Sequence, residues 1–268
     1  MARAICSRTN ANVYGYDADP EVVKKATDDG VLAGRLEDHY KDIELLIVAL
    51  YPADVVSVIT DVAPKLSGGC IVVDCTGVKK FVCDRLSGKL AEMKLRFIGG
   101  HPMAGKEVAG YTNSCDDLFD RASMILCRDE YTDEKALSEA GDLFKEAGFA
   151  RIVITTPEDH DRVIAYTSQL AHVVSSAYIK SPTLEKRYGF SAGSFKDLTR
   201  VAKLNEEMWA DLFLANDEAL AAEIDEIASH LSEYADAIRS GDRVELVKLL
   251  RDGRIRKEDD EEKDVKWT

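Results

Sequence analysis

The sequence has little that points to membranes, export or polyanions. Its uninterrupted apolar stretches are only a few residues long, far below the ~20 residues that a membrane span needs. It also lacks the charged leader and apolar core of a secretory signal, so we expect a cytoplasmic location. Acidic residues outnumber basic ones by 49 to 35, a net charge of −14, which argues against a nucleic-acid partner because such proteins need a basic surface.

Metal-binding patterns are also missing. The six cysteines form no CxxC pair and no Cys/His cluster with ligand spacing, so we expect reduced thiols and no metal site. The segment from Glu258 to Asp264 contributes six acids and one lysine. Because such a composition cannot bury a core, we expect residues 257–268 to form a disordered polar tail.

The first part of the chain alternates short apolar runs with helical patterns, which predicts a parallel sheet with helices on both faces. This is a doubly wound, Rossmann-like α/β fold, here assigned to residues 1–156. Helices are expected to begin at Pro20 and to run from Pro52 to about Leu66 and from Asp133 to Ala147. The predicted strands are Asn12–Asp17, Glu44–Leu50, Cys70–Cys75, Leu95–Gly99, Met124–Cys127 and Arg151–Thr155.

Residues 157–256 contain no further strand pattern and predict an all-helical domain. Helices are expected over 157–180, 194–203 and 206–239, with another after Gly241. The third carries apolar residues spaced 4-3-4-3-4, a heptad pattern that favours packing on a second copy of the chain. A core-facing stripe within one subunit is the alternative. The pattern comprises Leu220, Ile224, Ile227, Leu231, Tyr234 and Ile238.

A dinucleotide site in such a fold normally combines a glycine-rich loop with an acidic residue about 20 positions later. Asp17 stands where that acid is expected, but residues 1–11 contain no glycine. We therefore expect the sequence to begin inside the first helix, without the first strand and the phosphate-binding loop.

The segment GGHPMAG, at the end of a predicted parallel strand, is the best candidate for chemistry. Ligands of open α/β sheets bind beyond the carboxyl ends of the strands, which places His101 there. Histidine titrates in the range where general acid–base catalysis operates. A second segment, SFKDLTR, carries Arg200 near a helix; its alternative interpretation is an ordinary surface pair with Asp197.

Taken together, four motifs resemble the prephenate dehydrogenase family, and their order matches over residues 1–250. They are GGHPMAG followed by KE, DCTGVK at 74–79, SQLAH at 168–172, and SFKDLTR with MW nine residues later. The resemblance implies oxidative decarboxylation of prephenate to 4-hydroxyphenylpyruvate with NAD as hydride acceptor. It also implies a helical domain that forms a homodimer.

The resemblance further implies roles for individual residues. His101 is similar to the catalytic base and Arg200 to the arginine that binds the ring carboxylate. His172 resembles a second substrate-side histidine, although core packing is the alternative. Lys106 and Glu107 are similar to pocket and gating positions. Trp209 is similar to a tryptophan that a neighbouring subunit contributes, and simple burial is its alternative.

On the cofactor side, Asp17 favours NAD over NADP, because a carboxylate repels a 2′-phosphate. Leu50 and Thr76, which follow two strands, are expected in loops over the cofactor. Gly77 departs from the commoner family pattern, which has a serine there able to hydrogen-bond the catalytic histidine; Thr76 or a water are candidate replacements. Arogenate is the alternative substrate, and a non-catalytic dimer that has lost cofactor binding is the alternative function.

Overall fold

The computed structural model describes residues 1–106, 110–190 and 192–267. They form two compact units, residues 1–217 and a smaller unit that begins at Glu218. The strands are Tyr14–Gly15 (β1), Gly34–Arg35 (β2), Leu45–Val48 (β3), Ile71–Asp74 (β4), Arg96–Pro102 (β5), Ser123–Cys127 (β6) and Arg151–Thr155 (β7). The α-helices are Ala2–Arg8 (α1), Pro20–Asp28 (α2), Pro52–Val62 (α3), Lys80–Glu92 (α4), Glu134–Glu146 (α5), Pro157–Ile164 (α6), Leu170–Ile179 (α7), Gly193–Thr199 (α8), Glu206–Leu214 (α9), Asp217–Ser240 (α10) and Arg243–Trp267 (α11).

Strands β3 to β7 form one five-stranded sheet in sequence order, and β1 pairs with β2 in a separate two-stranded sheet. All pairs are parallel except β5 with β6, which is antiparallel. The prediction of a wholly parallel sheet was therefore wrong at this pair. Between β5 and β6 the described residues contain no helix longer than a 3₁₀ turn at Tyr111–Asn113, and a parallel return needs a longer crossover.

The five-stranded sheet is buried on both faces because successive side chains of a strand point in opposite directions. In β4, Ile71 and Val73 contribute to a core that includes residues of α1 and α5. Val72, between them, belongs to the opposite core with residues of α3 and α4. Helix α4 lies outside the predicted set of helices, yet it supplies much of this second core.

The helical region differs from the prediction in two places. Helix 157–180 is continuous but contains a π-helical turn at Ala165–Gln169 between α6 and α7. The helix expected over 206–239 is broken into α9 and α10 around Asn216. No glycine or proline marks that break in the sequence; instead the buried side-chain amide of Asn216 donates to the Asp161 carbonyl oxygen at 2.9 Å.

The unit that begins at Glu218 is a helical hairpin. Gly241, at a φ of +66°, ends α10 in the left-handed conformation that glycine adopts readily. Residues 257–267 belong to α11, in contrast to the expected disorder. Ion pairs one turn apart accompany this helix, among them Arg254–Glu258 at 2.5 Å and Lys257–Asp260 at 3.2 Å, and such pairs stabilise exposed helices. No helix in the described ranges is long and apolar enough to cross a membrane.

A glycine at the end of β5 generates a testable prediction. A Cβ added at Gly100 would lie 2.7 Å from the Asp74 carbonyl oxygen and 2.7 Å from Met124 Cε. The Asp74 carbonyl oxygen belongs to the backbone of the neighbouring strand and cannot move aside. Gly100→Ala should therefore lower the free energy of unfolding by ~1–3 kcal/mol. Urea unfolding measures this, with Gly105→Ala as control, since no atom lies within 4 Å of a Cβ there. Equal losses in both variants would contradict the prediction.

Candidate active site

His101 lies near the carboxyl end of β5, where it pairs with Ile125 of β6. Its Nδ1 is 2.9 Å from Nε2 of His160, which lies in the first turn of α6. Burial lowers the pKa of His101 to about 3, and the neighbouring charges of His160 and Lys79 act in the same direction. The imidazole is therefore neutral at physiological pH, with one of its two ring nitrogens free of a proton.

A buried ion pair lies next to this histidine. The side chains of Lys79 and Asp74 are both fully buried, and the Lys79 ammonium donates to Asp74 Oδ1. The same ammonium donates to the Gly100 carbonyl oxygen at 2.6 Å and to Thr76 Oγ1 at 3.2 Å. These bonds join the carboxyl ends of β4 and β5 immediately before His101.

A cavity of about 110 Å³ lies against His101. Gly77 and His101 line it from the sheet, and Ser168, Gln169, Trp209 and Leu212 line it from the helices. Its volume is smaller than the ~150 Å³ of an engineered cavity that holds a benzene ring. The cavity therefore has room for part of a six-membered ring beside the histidine.

The helical wall of this cavity is fixed by buried amide groups. Gln169, at the end of the π-helical turn, donates from Nε2 to the Leu212 carbonyl oxygen at 3.1 Å. Its Oε1 accepts from Asn216 Nδ2 at 2.7 Å. The turn between α6 and α7 is thus bonded to α9 and to Asn216, which lies in the break between α9 and α10. Such π-helical turns are frequent at functional sites.

His172 lies close to two residues that follow it by 28 and 37 positions in the sequence, Arg200 and the cavity-lining Trp209. The His172 ring lies over that of Trp209, with centroids 3.7 Å apart, and His172 Nδ1 donates to the Val201 carbonyl oxygen at 3.1 Å. Burial lowers the pKa of His172, and the Arg200 charge lowers it further. Trp209 lines the cavity of its own chain.

A second cavity, of about 410 Å³, lies beyond β1 and beside α2. Asp17 lines it together with Tyr16, Pro20, Arg35 and Glu37. Arg35 is ion-paired with Glu37 at 2.8 Å, and this bond raises the arginine pKa and lowers the glutamate pKa. An apolar wall beside a carboxylate at a strand's carboxyl end suits a nucleoside.

The other predicted cofactor residues follow their strands as expected. Leu50 comes after β3 and is 41% exposed, so its side chain is available for contact. Thr76 is buried, and its hydroxyl donates within the chain to Asp74 Oδ1 at 2.7 Å. The hydroxyl also does not contact His101, so it does not replace the serine of the commoner family pattern.

The loop after His101 is described only in part. Lys106 is exposed, and its ammonium donates to the Asn113 carbonyl oxygen at 2.8 Å. Glu107, the predicted gating residue, lies outside the described residues. Among the residues that are described, no group of three or more His, Cys, Asp or Glu side chains could hold a metal ion.

Comparison with known proteins decides the family. The family model "Prephenate dehydrogenase, nucleotide-binding domain" matches residues 1–154, and "Prephenate dehydrogenase, dimerization domain" matches residues 156–252. The chain belongs to the prephenate dehydrogenase family. This confirms the resemblance found in the sequence motifs.

Individual relatives agree with this membership. Cyclohexadienyl dehydrogenase of Zymomonas mobilis is 32% identical over 215 residues, covering 77% of this chain and 72% of that protein. Prephenate dehydrogenase of Bacillus subtilis is 26% identical, covering 89% of this chain and 66% of that protein. The chain thus spans about two thirds to three quarters of these relatives' own length.

A solved structure confirms the fold class. The A. aeolicus prephenate dehydrogenase, in complex with hydroxyphenyl propionate and NAD+, has a TM-score of 0.83 and 28% identity, covering 96% of this chain and 92% of that one. A Rossmann-like sheet followed by a helical domain, as predicted, is therefore the fold of this family member.

Sequence reasoning missed five residues around His101: His160, Asp161, Ser168, Gln169 and Leu212. His160 and Asp161 lie in PEDHD, a polar first turn that is typical of any helix start. Ser168 and Gln169 lie in the SQLAH motif, which could have identified them. Leu212 carries no sequence signal, because an apolar residue in a helix indicates burial and nothing more.

The lowered pKa of His101 predicts acid sensitivity. Its ordinary value is ~6.5, against about 3 in the folded chain, so below pH 6.5 the unfolded chain binds more protons. Stability should therefore fall as the pH drops from 6.5 towards 3, by about 1.4 kcal/mol per unit for this group. His101→Asn should lose about 1 kcal/mol less stability than the parent between pH 6.5 and 5.5, because the unfolded histidine is only half protonated at the upper end of this interval.

Urea unfolding at both pH values measures this difference. His230→Asn is the matched control, because His230 is 55% exposed on α10 and should leave the slope unchanged. Identical pH slopes for the parent and His101→Asn would contradict the prediction.

Proposed function

We propose that this chain catalyses the oxidative decarboxylation of prephenate to 4-hydroxyphenylpyruvate with NAD as hydride acceptor. The observation that carries the proposal is a neutral, partly buried His101 at the wall of a cavity near the carboxyl ends of the strands. Family membership supports the same reaction, since the B. subtilis relative carries the name prephenate dehydrogenase. His101 is the proposed catalytic residue.

The proposed chemistry needs one base and one hydride acceptor. His101 accepts the proton of the ring hydroxyl as the C4–H bond breaks; NAD, when bound, takes the hydride from C4. The ring carboxylate then leaves as CO₂, and its bonding electrons complete the aromatic ring. The proton on His101 returns to the ring oxygen, so the products are 4-hydroxyphenylpyruvate, CO₂ and NADH. General-base catalysis of this kind contributes ~10²–10⁴ in rate.

Arg200 and His172 are the proposed substrate-binding groups. A guanidinium can bind a carboxylate through two parallel hydrogen bonds, and Arg200 is near enough to His172 for its charge to lower the histidine pKa. His172 is oriented by the Val201 carbonyl oxygen and by the Trp209 ring. The positive charge of Arg200, together with the exposed ammonium of Lys106, suits a dianionic substrate. Lys106 and Glu107 remain proposed as pocket and gating positions on family resemblance alone.

The residues present fit the adenosine end of NAD. We propose that Asp17 binds the ribose hydroxyls in the 410 Å³ cavity, where its charge disfavours NADP. Leu50 and the backbone at Thr76 are proposed to contact the cofactor between that cavity and His101. Gly77 lines the cavity beside His101, which supports a position next to the proposed substrate.

We also propose a homodimer formed through the helical domain and a cytoplasmic location. The match to a dimerization-domain model supports the first, as do exposed apolar residues on α10, where Leu231 and Ile238 are 61% and 63% exposed. The six free cysteines support the second, because disulfides are rare in the cytoplasm. The boundary near residue 156 is retained as a proposal.

The direct test supplies the chain with NAD and either prephenate or arogenate, and follows NADH and the released product. Dominant turnover of prephenate supports the proposal, and dominant turnover of arogenate overturns the substrate. No turnover of either, with no NAD binding by calorimetry, would favour the non-catalytic dimer instead.

Two variants test the assigned roles. His101→Ala should lower kcat by ~10²-fold or more with little change in KM, because it removes the base. Arg200→Ala should chiefly raise KM, because it removes carboxylate binding. His230→Ala and Arg128→Ala are the matched controls, since each lies on an exposed surface outside the proposed site. Unchanged kinetics in both test variants would refute these roles.

A substitution on α10 tests the dimer. Leu231→Glu places a charge in the exposed heptad pattern and should shift the chain towards a monomer, as measured by light scattering after size exclusion. Ser229→Glu adds the same charge outside that pattern and should leave the dimer intact. A dimer that persists in the Leu231 variant would place the interface elsewhere.

A further inference from the structure

The side chain of Asp161 accepts three hydrogen bonds. Oδ1 accepts from the Lys79 amide at 2.7 Å and Oδ2 from the Lys80 amide at 2.8 Å. These two amides are at the amino end of α4, where the helix dipole favours a negative charge. The third bond, 2.7 Å long, joins Oδ1 to His160 Nδ1. An ionised carboxylate can only accept, so His160 Nδ1 must carry a proton.

The proton position on His160 determines that on His101. The His160 side chain is fully buried, and burial lowers its pKa despite the opposing effect of Asp161. A neutral imidazole protonated on Nδ1 has a lone pair on Nε2. His101 Nδ1, 2.9 Å from that atom, must therefore donate its proton to it, which leaves His101 Nε2 unprotonated.

The unprotonated nitrogen lies on the cavity side of the His101 ring. A Cβ built on Gly77, which lines the cavity, would be 4.0 Å from both Nε2 and Cε1. A serine at position 77, as in the commoner family pattern, would thus approach Nε2 rather than Nδ1. In this chain the orientation of His101 does not depend on such a serine, because Nδ1 is already bonded to His160.

We propose that His160 and Asp161 are positioning residues that hold His101 in the tautomer whose Nε2 can accept the substrate proton. This inference rests on the proposed function, in which His101 is the base. The other charged groups next to the pair are Lys79 and Asp74, whose side chains bond to each other. Because Lys79 donates to Asp74, Thr76 and the Gly100 carbonyl oxygen, it does not compete for either imidazole.

Two substitutions of His160 separate positioning from packing. His160→Gln provides an amide oxygen that can accept from His101 Nδ1, whereas His160→Phe fills the space without any acceptor. We expect His160→Phe to lower kcat by roughly 10- to 10³-fold with KM changed less than about 3-fold, since a wrong tautomer disables the base. His160→Gln should recover at least ~10-fold of that loss. Equal kcat in the two variants would overturn the proposal.

Asp161→Ala tests the origin of the tautomer. It removes the oxygen that accepts from His160 Nδ1, so neither the proton on His160 nor the tautomer of His101 is fixed any longer. We expect kcat to fall as in His160→Phe. Unchanged kcat in this variant would overturn the role of Asp161.

Nitrogen-15 NMR of the full chain labelled at histidine gives a readout that needs neither activity nor ligand. In the parent, we expect His101 to be protonated on Nδ1 and bare on Nε2, with its signals assigned from their loss in His101→Asn. In Asp161→Ala, where the acceptor for His160 Nδ1 is lost, both tautomers of His101 should be populated. A parent His101 that is protonated on Nε2 would overturn the proposal, whether or not any variant folds.

The two measurements also separate this inference from the proposed function. The tautomer found by NMR stands if the chain turns over neither prephenate nor arogenate, so failure of the reaction leaves the proton arrangement intact. Conversely, an active chain whose His101 is in the opposite tautomer would refute the positioning role of His160 and Asp161 and leave the proposed reaction intact.

Discussion

The buried contact between Lys79 and Asp74 is the interaction on which the rest of the site depends. Both side chains are fully excluded from solvent, and Asp74 Oδ2 has no hydrogen-bond partner among the described residues. Such pairs add little net stability, because the loss of hydration offsets their attraction, but removing one partner costs ~3–5 kcal/mol. The pair is therefore better understood as a device that fixes geometry than as a source of stability.

That geometry extends in two directions from one lysine. The Lys79 ammonium fixes the carbonyl of Gly100, the residue immediately before His101, while the Lys79 amide fixes the carboxylate of Asp161 on α6. Strand β5, which carries His101, and helix α6, which carries His160, are thus both hydrogen-bonded to Lys79. Small displacements between α6 and β5 are resisted because both are bonded to it.

Much of the fold and part of the site could be predicted from the sequence. His101 was identifiable because a histidine among glycines at a strand's carboxyl end has few structural explanations. The antiparallel pairing of β6 with β5 could not be predicted, because strand direction depends on a connecting loop whose sequence shows no periodicity. His160 and Asp161 were missed because the contact of His160 with His101 spans 59 residues of sequence, and a polar first turn is common to most helices. The helical end of α11 depends on ion pairs that composition alone does not reveal.

The π-helical turn at Ala165–Gln169 changes which side chains of the long helix share a face. A π turn holds about one residue more than an α turn, and one residue corresponds to a rotation of ~100° about the helix axis. The faces of α6 and α7 are therefore out of phase. His160 and His172, twelve residues apart, therefore lie on faces that an uninterrupted α-helix of the same sequence would not give them. Deleting one residue within the turn would convert it to an α turn without rotating either histidine, whereas deleting one residue between the turn and His172 would rotate His172 by ~100° away from Trp209.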